Sequence, residues 1–95
     1  MVKIVWSDLA KEDLKAIHEY ISKDSKVYAD RLIAKLTHRV EQLENYPQSG
    51  RMVVEFGQEN IRELIEGNYR IIFRINIEYI GIVRVQHSAR LLRDL

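Results

Sequence analysis

The chain predicts an α+β fold: an N-terminal strand, a two-helix hairpin, then a three-stranded antiparallel meander, the strands forming one small sheet packed on the helices. Three observations predict it. A β-branched and aromatic opening, Val2 to Trp6, stops at Ser7-Asp8. Two apolar stripes at helical spacing then run as far as Pro47, and three segments with strand-like alternation follow the punctuation of Pro47, Ser49 and Gly50.

Each element has its own local cause. Val2 to Trp6 carries the side chains that suit a pleated surface, and Ser7-Asp8 supplies a helix N-cap followed by the acids Asp8, Glu12 and Asp13 in the early turns. Ala10, Leu14, Ile17 and Ile21 share one face of the first helix, to about Ile21. Ser22 to Ser25 reads as a polar turn. Ala29, Leu32, Ile33, Leu36, Val40 and Leu43 form the second stripe, which ends near Asn45-Tyr46-Pro47 because proline cannot continue a helix. Ile61 to Ile65, Tyr69 to Ile75 and Tyr79 to Val85 are the strands, the first two joined at Gly67-Asn68 and the last two around Asn76 and Glu78. In the middle strand Tyr69, Ile71, Phe73 and Ile75 share one face, and Arg70, Ile72 and Arg74 share the other. The apolar face is expected to meet the hairpin, because each layer needs the other to bury its stripe.

At 95 residues the chain fits one domain, residues 1–95, burying roughly two thirds of its unfolded surface. The net charge of +1 excludes a bulk polycation, so any contact with nucleic acid rests on a local patch. Cysteine is absent, which removes disulfides, thiol chemistry and cysteine-based zinc sites. No apolar run approaches the roughly 20 residues of a membrane helix, and the first residues enter a strand-like segment and not a signal peptide, so the expected location is the cytoplasm. No metal, cofactor or membrane partner is expected.

The positive charges are segregated along the chain. All six lysines lie at or before Lys35, whereas residues 50–95 carry seven arginines and no lysine. Arginine presents a planar fork suited to phosphates and carboxylates. Side-chain alternation predicts that Arg70 and Arg74 leave the face opposite the helices, joined there by Arg62 and Arg84 from the flanking strands. Such a face suits phosphate or an acidic protein partner, or else it is a solvated surface paired with Glu63, Glu66 and Glu78. His87 ends the last strand, able to move a proton near neutral pH, but alternation places it with Val83 and Val85, opposite Arg84. Glu55 is the one acid close to the Gly50-Arg51 loop, where it reads as a loop-solvating charge.

Taken together, Trp6-Ser7 leading into Ala10, Asp13-Leu14, Ile17 and Tyr20-Ile21, then Pro47-Gln48-Ser49-Gly50-Arg51, Ile61-Arg62-Glu63-Leu64, Tyr69-Arg70-Ile71-Ile72-Phe73-Arg74 and Val83-Arg84-Val85-Gln86-His87-Ser88-Ala89-Arg90 form a pattern. It resembles the RelE/ParE superfamily of type II toxins over nearly the whole chain, and within it the ParE branch, also called plasmid-stabilisation proteins. The resemblance implies a growth inhibitor neutralised by a cognate antitoxin, ParD-like or other. ParE toxins are associated with poisoning DNA gyrase. RelE toxins cut messenger RNA on the ribosome with a lysine and arginine cluster, or a Glu, Arg and His set, often with a tyrosine near the C-terminus.

Arg62, Arg74 and His87 match positions of that second kind, but this sequence has no lysine beyond Lys35 and no C-terminal tyrosine. The resemblance therefore implies a gyrase-directed toxin without catalytic residues, which meets its target through Arg62, Arg70, Arg74, Arg84 and Arg90. Under the nuclease alternative, Arg62, Arg70 and Arg74 neutralise the scissile phosphate and His87 moves the proton. A degenerate antitoxin-binding module is the third reading. The antitoxin is expected on apolar surface left by Leu32, Ile33, Leu36, Val40 and Leu43.

Overall fold

The computed structural model describes residues 2–89. Strand β1 (Lys3–Trp6) leads into helix α1 (Asp8–Ser22) and helix α2 (Lys26–Glu41), the latter extended by a 3₁₀ turn at Gln42–Glu44. Strands β2 (Arg51–Met52), β3 (Ile61–Glu66), β4 (Tyr69–Ile75) and β5 (Tyr79–His87) follow. The sheet order is β1-β5-β4-β3-β2, antiparallel throughout except where β1 lies parallel to β5. The strand, the helical hairpin and the meander are those the sequence predicts. The short edge strand β2 and the parallel docking of β1 are additions, both made by pairings distant in sequence that local periodicity does not encode.

Both helices start on serine caps. The Ser7 and Ser25 side chains accept hydrogen bonds from the backbone N–H groups of Ala10 and Tyr28, satisfying donors that the first turn leaves open. The main core lies between the hairpin and one sheet face, where Ala10, Leu36, Val40 and Leu43 meet Leu64, Ile71, Phe73, Ile80, Ile82 and Val85. At about 25 cal/mol per Å² of apolar area, this layer is the principal source of stability.

A second, smaller cluster lies on the opposite face. Val53, Ile61 and Ile72 are buried there, with Phe56 and Val83 packed against them. The segment after β2 thus folds back over the sheet, turning at Gly57 with φ +61°, a left-handed conformation that glycine adopts without a Cβ clash. This cover decides what the outer face can present.

One irregularity shapes β5. Ile72 pairs with Arg84 while Phe73 pairs with Ile82, so Val83 is an extra residue that bulges the strand. The bulge resets the alternation: Ile82 and Val85 both face the main core, and Val83 joins the outer cluster. Among the described residues, no helix is long and apolar enough to cross a membrane.

Candidate functional site

The outer sheet face is built around one guanidinium. Arg70 projects from β4 on this face, and its Nη1 and Nη2 donate to the two oxygens of Glu55 at 2.6 and 3.0 Å. Nη2 also donates to Glu63 Oε1 at 2.9 Å. Arg70 is 5% exposed and Glu63 4%. Two carboxylates therefore surround one buried cation, and the Glu55 pairing holds the Arg70 pKa above the ordinary arginine value despite its burial. Among the described residues Glu63 Oε2 accepts no hydrogen bond, and Arg51 Nε lies 3.9 Å from it.

This arrangement corrects the expectation of four arginines on one open face. Arg70 is there, but buried and paired. Arg74 is there, half-buried, across from Ile61 and Gly81. Arg62 is not: it pairs with Phe73, whose ring enters the main core, so the same parity sends Arg62 to the helix side of the sheet. There it is held by its Nε donating to the Glu59 carbonyl at 2.7 Å and its Nη1 to the Gly50 carbonyl at 3.3 Å. Arg84 is not available either. By register it pairs with the outer-face Ile72, yet its Nε and Nη2 donate to the Asp13 carboxylate of α1 at 2.9 and 3.1 Å. Arg90 lies outside the described residues.

His87 lies with Val85 on the helix side, opposite the Arg70 cluster, as alternation predicts; Val83, expected with it, is on the other face because of the bulge. The imidazole meets the Tyr69 ring edge-on at 5.7 Å, and its Nδ1 accepts from the Ala89 N–H at 3.2 Å. Around this point two shallow clefts share Tyr69. One, of about 400 Å³, has Tyr28, Arg31, Leu32 and Lys35 of α2 on one wall and Glu66, Gly67 and Asn68 on the other. The second, of about 270 Å³, is lined by Asp13, Ala16, Ile17, Tyr20, Val85, Gln86 and His87. Tyr20 and Tyr28 are largely exposed. Burial raises the Tyr69 pKa above the ordinary phenol value, with the neighbouring Tyr28 and Tyr20 adding to the shift.

The proposed apolar surface of α2 is also corrected. Leu36, Val40 and Leu43 are fully buried against the protein's own sheet, and Leu32 and Ile33 pack on the same cluster. Of the five, only Leu32 lines the cleft beside Tyr28 and Tyr69. The stripe is as wide as it is because the sheet fills it. Glu55, read from the sequence as a loop-solvating charge, is instead paired with Arg70. Its signal was the apolar company of Val53, Val54 and Phe56, which a solvated loop does not need. Among the described residues no group of three His, Cys, Asp or Glu side chains is placed to hold a metal ion.

A two-helix hairpin on one face of a five-stranded sheet, with a paired arginine at the centre of the other, defines a small α+β protein of one layer of helix on one sheet. The family described as ParE toxin of type II toxin-antitoxin system, parDE, matches residues 4–92, and the chain belongs to it, within the RelE/ParE superfamily. Toxin RelE2 of Caulobacter vibrioides is 34% identical over 92 residues, covering 96% of this chain and all of that protein. Among solved structures, the chromosomal ParDE toxin-antitoxin system from P. aeruginosa superposes with a TM-score of 0.76 at 22% identity, covering 92% of this chain and 96% of that one. The RelBE2 toxin-antitoxin complex from Mycobacterium tuberculosis follows at 0.67 and 19%, covering 90% and 96%.

Proposed function

We propose that this toxin arrests growth by binding and poisoning DNA gyrase in the cytoplasm, and that a cognate antitoxin neutralises it. The observation that carries this reading is the state of Arg70. A guanidinium already held by two carboxylates in a buried site has its charge answered, and a phosphate there meets Glu55 and Glu63 as well as the cation. His87, the side chain best suited to proton transfer, is on the opposite face. Phosphodiester cleavage needs both groups on one reacting centre; protein binding does not. The antitoxin is the partner suited to the aromatic clefts beside Tyr28 and Tyr69, where apolar and basic side chains lie together.

A second reading, ribosome-dependent cleavage of messenger RNA, is favoured by the name of the RelE2 relative. Mapping the breaks in arrested cells separates the two. Induced cells should accumulate double-strand DNA breaks with gyrase attached to the ends and keep intact messages. Cuts within codons of translated messages, with intact DNA, would assign the protein to the nucleases.

A further inference from the structure

Of the four arginines on strands β3, β4 and β5, three are held by the protein's own acceptors: Arg62 by the Glu59 and Gly50 carbonyls, Arg70 by Glu55 and Glu63, and Arg84 by Asp13. Arg74 is the exception. It is half-buried on the outer face, yet among the described residues its guanidinium has no hydrogen bond and no ion pair; Asn76 Nδ2 reaches its backbone carbonyl, at 3.4 Å. A guanidinium carries five donors, and partial burial takes water from some of them, so an outside anion completes the fork. The surroundings are apolar. Register sets Arg74 beside Gly81 and Gly81 beside Val5, on the face opposite Ile4, Trp6, Phe73, Ile80 and Ile82 of the main core. A Cβ at Gly81 would lie 3.6 Å from the Tyr79 ring and 3.9 Å from Asn76 Nδ2, so ring and amide border a shallow hollow over the glycine. Val5 and Tyr79 are each 40% exposed, and Ile77, at the tip of the β4–β5 hairpin, is fully exposed.

We infer that this patch anchors the toxin's protein target: a carboxylate of the target sits in the Arg74 fork, and apolar neighbours of that carboxylate pack on Tyr79, Val5 and Ile77. Charge complementarity selects the occupant. The fork has no acid of its own chain in ion-pair reach among the described residues, and Lys3, set beside Tyr79 by register, adds a second cation on the same face; Glu78, the acid of the hairpin tip, pairs with neither. A protein carboxylate is favoured over a nucleic-acid phosphate because the rest of the patch is apolar, whereas a phosphate backbone is tracked by a row of cations. An arginine and a tyrosine together within an apolar rim is the composition of an interface hot spot. The inference rests on the proposed binding mode and adds to it the surface that binds and the chemistry of one contact.

The test measures binding of the toxin, made by cell-free synthesis, to immobilised gyrase with and without DNA. Arg74→Ala should weaken binding about tenfold or more and Arg74→Glu further, whereas Arg74→Lys, which keeps the charge and loses the fork, should fall between Arg74→Ala and wild type. Tyr79→Ala, and Gly81→Leu, which fills the hollow beside an intact Arg74, should each cost about fivefold. Lys11→Ala removes an exposed charge from α1 and should change nothing. Unchanged melting temperatures identify the folded variants, and the losses should be the same with and without DNA. Wild-type affinity in Arg74→Glu and Gly81→Leu would overturn the inference. So would a loss confined to the DNA-bound enzyme and strengthened at low salt, which would give Arg74 to phosphate. If wild type does not bind gyrase, that target fails and growth arrest judges the patch: full toxicity in Arg74→Glu and Gly81→Leu overturns it, and toxicity lost in folded variants upholds it.

Discussion

Asp13 of α1 grips Arg84 of β5 across 71 residues of sequence, through two bonds of 2.9 and 3.1 Å, and the same carboxylate accepts from the Val85 N–H at 2.9 Å. Both donors lie just past the bulge at Val83 and beyond Ile82, the last β5 residue that β1 pairs, where that edge of the strand is open to the helix. Ser7 fastens the other end of the joint: its Oγ accepts from Ala10 N–H and donates to the Val83 carbonyl, each at 3.0 Å. Asp13→Ala should destabilise by about 1–3 kcal/mol, because it removes the two-bond contact with Arg84 and the acceptor of the Val85 N–H. Thermal melts of Asp13→Ala, Arg84→Ala and the double variant test this. The cycle should show strong coupling, and additive losses would mean that the fork carries little energy.

The two outward arginines should respond oppositely to alanine. Arg70→Ala takes from the buried Glu63 carboxylate the guanidinium that bonds its Oε1, and about 3–5 kcal/mol should be lost. Arg74→Ala, in a half-buried position across from Gly81, should cost within about 0.5 kcal/mol. If target contact uses this face, Arg74→Ala then weakens toxicity while melting as wild type does. Denaturant titration alongside growth assays separates the two effects.

Gly50 is a position of close approach. A Cβ there would lie 2.6 Å from the Phe73 ring and 2.8 Å from the Glu63 carbonyl, and Phe73 is fully buried and cannot move aside. Gly50→Ala should cost about 1–3 kcal/mol by overpacking. A urea midpoint equal to wild type would show that the loop shifts freely.

Asp30 reports the contact between the helices. The His18 ring nitrogen, at 2.6 Å, is the main cause of its lowered pKa, followed by Lys26 Nζ at 3.0 Å. A depressed carboxylate stabilises the fold above its unfolded value of about 3.9, and that contribution fades as pH falls through the lower folded value. Carboxyl-detected titration should find Asp30 below the ordinary aspartate range, and His18→Ala should move it upward. No movement in the variant would remove His18 as the cause.

The layer order, the Ser7 cap and the hairpin turn at Gly67-Asn68 were legible in the sequence because each depends on neighbours a few residues apart. The face of Arg62 was not. Its parity depends on the register against β4, where it pairs with Phe73, and register comes from pairing across strands. The engagement of Arg84 was hidden for a related reason: its partner Asp13 lies 71 residues away in sequence, and the bulge beside it leaves no compositional mark. Glu55 was read as a loop-solvating charge because only tertiary folding brings its segment onto the sheet to meet Arg70. His87 was placed correctly opposite that cluster, since strand alternation and bulge together leave it on the helix side with Val85.

The central claim, a binding toxin directed at gyrase, is tested most directly by adding purified protein to gyrase and relaxed plasmid and following supercoiling. We expect dose-dependent loss of supercoiling with trapped, cleaved DNA, unchanged in His87→Ala. Full supercoiling at every dose, together with A-site cleavage on programmed ribosomes that His87→Ala abolishes, would contradict it.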